Sequence, residues 1–257
     1  MIARYNAAVR MECTMINVMI YNEFVHEKND EKVKAVYPDG IHNAIKSFLE
    51  KDAAIGKIRC AVLEDHKETL SQENLDDTDV LIWWGHMRHH EVDDVVAARV
   101  CRRVLDGMGL VVLHSGHASK PFKTLMGTDT HLLRWREAGE KVRVWNIAGN
   151  HPITRGLTET FTIPHDETYG EPFGIPEPDE LIFLNWFQGG EVFRSGCTWR
   201  RGAGKIFYFM DGHETFPVYY QSEVQLIITN GVKWACPEKR SYLIDRGGPN
   251  TPALEKY

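Results

Sequence analysis

The first half of the chain alternates short apolar runs with amphipathic segments, and this alternation constrains the fold more than any other feature. Apolar runs lie at residues 16–24, 58–65, 79–86 and 109–116. Between them, apolar residues recur at helical spacing, most clearly over residues 92–108. Buried strands that alternate with helices predict an α/β protein whose mostly parallel sheet is covered by helices on both faces.

The second half of the chain has a different pattern. Apolar and aromatic runs there are joined by glycine-rich turns, including residues 188–190 and 202–204. These runs predict antiparallel strands that extend the sheet, and residues 222–236 predict a closing helix.

The length of 257 residues suits one large domain. We therefore interpret residues 1–257 as a single domain, with a core at 16–236 and a tail at 237–257. The tail is polar and turn-rich, which predicts either a loose terminus or an arm over a neighbouring subunit. Together with the edge strands of an open sheet, the tail leads us to expect a homo-oligomer.

Composition and charge argue against several classes of protein. A formal net charge of −6 argues against a nucleic-acid partner. No apolar run approaches the ~20 residues that span a bilayer, and the charges of Arg4, Arg10 and Glu12 argue against a signal peptide. The five cysteines are scattered and form no CxxC pair, which indicates free thiols in a reducing compartment. We therefore expect a cytoplasmic protein with no membrane partner.

Histidines follow the predicted strands at the points where those strands end. Ligands of open parallel sheets bind beyond the carboxyl ends of the strands, so these side chains are predicted to share one rim. Of the 12 histidines, seven are placed at this rim: His26, His42, His86, His114, His117, His165 and His213. His89 and His90 come later, at the start of a helix, and are interpreted as surface residues.

A metal site is one chemistry that suits this rim. Imidazoles with one or two carboxylates bind divalent metals, so we expect zinc before manganese, nickel or iron, and no other cofactor. The candidate ligands are His26, His86, His114 and His213. The sequence contains no HExxH motif, so these ligands would have to come from separate strand ends.

Metal-free acid–base catalysis is the alternative chemistry, and it also needs a carboxylate at the rim. Asp166 and Glu167 are both candidates, although neighbouring side chains of a strand point in opposite directions and only one is expected to face the pocket. Ser115 and His117 are candidates to orient substrate hydroxyls. Ser115 could instead be a nucleophile activated by His213, but Leu113 stands where a G-x-S-x-G motif has its first glycine.

Five segments together resemble the trehalose-utilisation, or ThuA-like, family. In chain order they are VYPDGIHNAI at 36–45, WWGH at 83–86, LHSGH at 113–117, HDETYG at 165–170 and GKIFYFMDGHE at 204–214. The resemblance covers residues 16–236. It implies a three-layer flavodoxin-like fold similar to that of class I glutamine amidotransferases, with an antiparallel C-terminal extension and a sharp nucleophile-elbow turn.

The resemblance also implies a function in the catabolism of disaccharides such as trehalose. The amidotransferase elbow reads roughly G-x-C-x-G-H, which places His114 at the nucleophile position. No cysteine lies within ten residues, so a glutaminase is excluded. Our leading hypothesis is an isomerase, lyase or hydrolase that acts on a disaccharide or keto-sugar by metal-assisted or acid–base proton transfer. A non-catalytic sugar-binding or regulatory module and a Ser115-dependent hydrolase remain alternatives.

Overall fold

The computed structural model describes residues 15–237, which form a nine-stranded mixed sheet with helices on both faces. The strand order is β2-β1-β3-β4-β9-β8-β7-β5-β6. The strands are β1 (Ile16–Asn22), β2 (Ile55–Val62), β3 (Val80–Trp84), β4 (Gly109–Leu113), β5 (Arg134–Asn146), β6 (Thr160–Gly170), β7 (Glu180–Phe187), β8 (Val192–Arg201) and β9 (Gly204–Phe209). The tail predicted at 237–257 lies outside the described residues except for its first residue.

Five of the strands form the parallel half of the sheet. Strand β1 pairs in parallel with β2 and β3, and β4 pairs in parallel with β3 and β9. The resulting order is the one that characterises flavodoxin-like folds. The predicted flavodoxin-like α/β architecture is therefore confirmed.

The remaining strands form the antiparallel half, and here the sequence interpretation needs one correction. Strands β8, β7, β5 and β6 extend the sheet by antiparallel pairing, as predicted. The segment at 204–209 was grouped with them, but it forms β9 and aligns in parallel with β4, from Leu110 opposite Ile206 to Leu113 opposite Phe209. The antiparallel strands are thus an insertion before the last parallel strand rather than a C-terminal extension.

The helices cover the two faces of the sheet. They are α1 (His26–Asn29), α2 (Glu31–Val36), α3 (Ile41–Leu49), α4 (His66–Thr69), α5 (Gln72–Asp76), α6 (Asp94–Leu105), α7 (Lys120–Met126) and α8 (Ser222–Ala235). Helix α3 packs with α8, and α6 packs with α5 and α7. None of the helices within residues 15–237 is both long and apolar enough to cross a membrane.

Helix α6 illustrates how the sequence specifies these layers. The side chain of Asp93 accepts a hydrogen bond from the backbone N–H of Val95 (2.8 Å) and caps the first turn. Val96, Val100 and Val104 are buried along one face of the helix. This packing leaves the carboxyl ends of β3 and β4 open, and the polar residues that follow those strands lie at that edge.

Candidate active site

The four histidines predicted as metal ligands lie together at the carboxyl ends of the parallel strands. The ring centroids of His26 and His86 are 5.1 Å apart, and those of His86 and His213 are also 5.1 Å apart. His114 lies 5.2 Å from His213. Because β1, β3, β4 and β9 run in the same direction, the segments that follow them meet at one edge of the sheet.

Glu214 connects two of these histidines and was not among the predicted site residues. His26 and His86 each hydrogen-bond through Nδ1 to Oε1 of this buried carboxylate. Burial alone would raise the pKa of Glu214, but the two imidazoles outweigh it and lower the pKa below its ordinary value. The same contact raises the pKa of His26. Glu214 follows β9 in the same segment as His213, so the strand-end rule places it at this edge of the sheet but does not single it out as a site residue.

His114 occupies a strained turn directly after β4. Its φ of 50° lies in the left-handed region, which few residues other than glycine adopt. The turn continues as a 3₁₀ segment over His114–Ala118. At Gly116, an added Cβ would lie 2.9 Å from the carbonyl oxygen of Trp83, so the tight approach to β3 requires glycine. The turn thus directs the His114 side chain toward the strand ends.

The His114 imidazole is held between a carbonyl and a carboxylate. Its Nδ1 donates a hydrogen bond to the carbonyl oxygen of Met210 (2.8 Å), which leaves Nε2 facing Glu167 Oε2 at 3.1 Å. Burial alone would lower the pKa of His114, but the Glu167 carboxylate raises it to about 9. Burial lowers the pKa of the neighbouring His213 to about 4.

Of the adjacent carboxylates Asp166 and Glu167 on β6, Glu167 contacts the imidazole of His114, whereas Asp166 contacts backbone N–H groups. Asp166 is fully buried and accepts hydrogen bonds from the backbone N–H groups of Glu167 (2.8 Å), Gly212 (2.9 Å) and His213 (3.1 Å). Burial raises the pKa of Asp166 to about 6. Asp166 therefore holds the turn that carries His213, while Glu167 faces the histidines.

Ser115 and His117 lie beside the cluster and line a cleft of about 610 Å³. Ser115 Oγ hydrogen-bonds the hydroxyl of Tyr169 (3.0 Å) rather than an imidazole. His117 is buried, burial lowers its pKa well below the ordinary range, and its Nδ1 has no hydrogen-bond partner within the described part of the chain. Both side chains are therefore placed to contact a molecule in the cleft.

The cleft also contains an exposed tryptophan and a histidine that the sequence placed elsewhere. Trp135 lines it with 63% of its surface exposed. His89 was interpreted as a surface residue, but it lines the cleft, and burial lowers its pKa to about 4. Its neighbour His90 does lie at the surface, at the outer part of the same cleft. An aromatic face next to polar groups suits a sugar ring.

Two histidines predicted at the rim lie outside the cluster. His42 hydrogen-bonds the side chain of Asn22 through Nδ1 (3.0 Å). His165 hydrogen-bonds the carbonyl oxygen of Gly139 (2.9 Å) and is solvent-exposed. Each of these two histidines therefore has its own hydrogen-bond partner, which cannot be predicted from its position after a strand.

Glu23 holds the loop that carries His86. Its buried carboxylate accepts hydrogen bonds from the backbone N–H groups of His86 (2.9 Å), Met87 (3.2 Å) and Arg88 (2.8 Å). Glu23 was not among the predicted site residues. The carboxylate thus fixes the direction in which the loop leaves β3.

We expect Glu23→Ala to lower the free energy of unfolding by about 3 kcal/mol, because three backbone N–H groups lose their carboxylate acceptor. Chemical denaturation would measure the loss. Glu91→Ala is the matched control on the same loop, because Glu91 is exposed and its ion pairs with Arg88 and His90 lie at the surface. A loss of similar size in both variants would contradict this role of Glu23.

The chemistry of the cluster fits a divalent cation. His114 Nε2, Glu167 Oε2 and Glu214 Oε2 are all buried, and within residues 15–237 they contact charged groups of the same cluster without a hydrogen bond of good geometry. Buried nitrogen and carboxylate oxygen atoms are costly to leave without a partner, and they are the ligands that zinc prefers. The residues present are therefore suitable to hold a metal.

Solved structures with similar folds are distant in sequence. A ThuA-like protein from Parabacteroides merdae matches with a TM-score of 0.65 and 14% identity, covering 91% of this chain and 94% of that one. A ThuA-like protein from Bacteroides uniformis matches with a TM-score of 0.58 and 17% identity, covering 89% and 94%. A cytoplasmic protein from Salmonella typhimurium LT2 matches with a TM-score of 0.57 and 12% identity, covering 86% and 100%.

The sequence comparisons give a family but no characterised relative. No curated protein matches the sequence significantly. A family model described as trehalose utilisation matches residues 17–235, which include every residue of the cluster and all of the sheet except Ile16. The chain belongs to the ThuA family of trehalose-utilisation proteins.

Proposed function

We propose that the protein is a carbohydrate-catabolic enzyme that acts on a disaccharide or keto-sugar by proton transfer at a divalent metal. One observation carries the proposal. His26, His86, His114 and His213 converge with Glu167 beside a cleft that also exposes Trp135. Membership of the ThuA family supports a role related to trehalose utilisation, and the cluster supports the chemistry.

In the proposed mechanism, the residues of the site have different roles. A divalent metal bound by histidines of this cluster would lower the pKa of a bound water or sugar hydroxyl. Glu167 then accepts or returns the proton, because its carboxylate faces the cluster and lines the cleft. Ser115 and His117 orient substrate hydroxyls from the side of the cleft. Met210 fixes the His114 ring through its carbonyl oxygen.

The cleft supports a sugar rather than an extended apolar ligand. Trp135 offers an exposed aromatic face, and imidazole, hydroxyl and carboxylate groups line the same space. A pyranose ring presents C–H groups on its faces and hydroxyls around its edge, so it would be complementary to this combination.

We expect Trp135→Ala to weaken sugar binding about tenfold, because aromatic contact of this kind contributes about 1.4 kcal/mol. Isothermal titration calorimetry with trehalose, other disaccharides and their keto derivatives would measure it. Trp186→Ala is the control, because Trp186 is exposed on β7 and does not line the cleft. Unchanged affinity in the Trp135→Ala variant would contradict the proposed contact between Trp135 and the sugar ring.

Turnover of the same sugars tests the proposal as a whole. The protein, purified without a histidine tag, is reconstituted with zinc, manganese, nickel or iron, and the products are analysed by mass spectrometry. We expect turnover with at least one metal. Saturable sugar binding without turnover under all these conditions would instead favour a non-catalytic binding module.

A further inference from the structure

The six side chains of the cluster fall into two sets rather than one. The first consists of His26, His86 and Glu214, and the second of His114, His213 and Glu167. Within each set the ligand atoms lie within 4.8 Å of one another. We name these the outer set and the inner set, because His26 and His86 are partly exposed whereas all three residues of the second set are buried.

Each set has the composition of a complete metal site. Two histidines and one glutamate, with a fourth position open, form a common zinc site in hydrolytic enzymes. Zinc binds nitrogen and oxygen at about 2.0–2.2 Å, so one ion brings its ligand atoms within roughly 4 Å of each other. Among the described residues, the ligand atoms gather in two groups of three rather than in one group of six, so two ions can use three side chains each.

Glu214 links the two sets. Its Oε1 contacts the Nδ1 atoms of His26 and His86, which belong to the outer set. Its Oε2 is buried without a hydrogen bond and lies 3.6 Å from Nε2 of His213 in the inner set. A carboxylate that presents one oxygen to each set is the arrangement by which a glutamate bridges two cations.

The inner set is held in place by groups that are not themselves ligands. Nδ1 of His114 hydrogen-bonds the Met210 carbonyl oxygen, and Nδ1 of His213 hydrogen-bonds Thr215 Oγ1 (2.8 Å). Both rings therefore direct Nε2 toward the carboxylates. Metal-binding histidines are commonly oriented in this way through the ring nitrogen that does not bind the metal.

We propose that this site holds two divalent cations, one in each set, bridged by Glu214. This proposal rests on the proposed function only in that both concern the same group of side chains. A carboxylate has two oxygens, so Glu167 can hold an ion through one oxygen and exchange a proton at the other. The pair of cations would bind and polarise two neighbouring oxygens of a sugar, such as a carbonyl and the adjacent hydroxyl.

Metal stoichiometry tests the proposal without any activity assay. Tag-free protein is dialysed against zinc and analysed by inductively coupled plasma mass spectrometry. We expect two zinc ions per chain in the wild type and one in each of His26→Asn and His114→Asn. Asparagine suits position 114 because it tolerates a positive φ. His165→Asn is the control and should retain two ions, because His165 lies outside the cluster.

A second measurement detects the bridge. With manganese in both sets, we expect an electron paramagnetic resonance spectrum of a spin-coupled pair, and an isolated six-line signal in each single-site variant. Thermal melts of the metal-free proteins show whether a variant has lost its ions or its fold. A variant that does not fold is replaced by His86→Asn in the outer set or His213→Asn in the inner set.

The outcomes separate this proposal from the proposed function. One ion per wild-type chain would overturn the two-ion site, and so would an ion that occupies the same set in both variants. Neither result would decide whether the protein turns over a sugar. Two ions with no turnover of any sugar would support the two-ion site and count against the enzyme. No bound metal at all would overturn the two-ion site.

Discussion

Glu167→Gln is expected to lower the turnover number for the sugar substrate about 10²- to 10⁴-fold, the range typical of losing a general acid or base. The amide has the shape of the carboxylate but cannot accept the proton. Steady-state kinetics with the metal-loaded enzyme would measure the change. Glu180→Gln is the control, because Glu180 is a largely exposed glutamate on β7.

Asp166→Asn provides the contrast, because it changes the neighbouring carboxylate of the same strand. Asp166 accepts hydrogen bonds from three backbone N–H groups, and one of its oxygens becomes an N–H donor in the variant. We therefore expect a loss of about 2–3 kcal/mol in unfolding free energy, measured by denaturant titration. If Asp166→Asn abolished turnover without loss of stability while Glu167→Gln remained active, the proposed roles would be reversed.

Gly212→Ala is expected to lower the free energy of unfolding by about 3–5 kcal/mol, the sum of backbone strain and overpacking. Gly212 has a φ of 133°, and a Cβ at this position would overlap the hydroxyl of Tyr219. The Tyr219 side chain has 0% exposure, so it has no free space to enter. A loss of this size is a large part of the ~5–15 kcal/mol that stabilises a typical domain.

Gly127→Ala separates the two contributions. Gly127 also has a positive φ, of 69°, but a Cβ there would meet no atom within 4 Å. We therefore expect only the backbone cost of about 1–2 kcal/mol at this position. The free energy of unfolding of both variants would be measured by chemical denaturation. Equal losses at the two glycines would mean that the Tyr219 side chain moves to accommodate the added methyl group, and that the overpacking argument is wrong.

The sequence predicts four of the five parallel strands and the positions of the clustered histidines at strand ends, because both depend on local patterns. Apolar runs identify the strands, and the residue after each strand is known once the direction of the strand is known. His26, His86, His114 and His213 lie together for this reason. The same rule places Glu214 at the rim, but a carboxylate directly after a histidine has no signal of its own.

Other features depend on contacts between distant parts of the chain. Strand β9 lies next to β4 although more than ninety residues separate them, and no local pattern specifies that pairing. Trp135 is exposed because β5 lies in the antiparallel insertion beside the cleft rather than in a covered strand. His42 and His165 have local hydrogen-bond partners, and only the folded chain reveals them.

The late position of β9 in the chain has a consequence for protein synthesis. His213 and Glu214 reach the other ligands only after β9 has inserted beside β4, so a nascent polypeptide that ends before this strand lacks a residue from both halves of the cluster. The ribosome must therefore complete nearly the entire domain before the two proposed cation sites are assembled. Any cation would then bind only after the surrounding sheet has been synthesised.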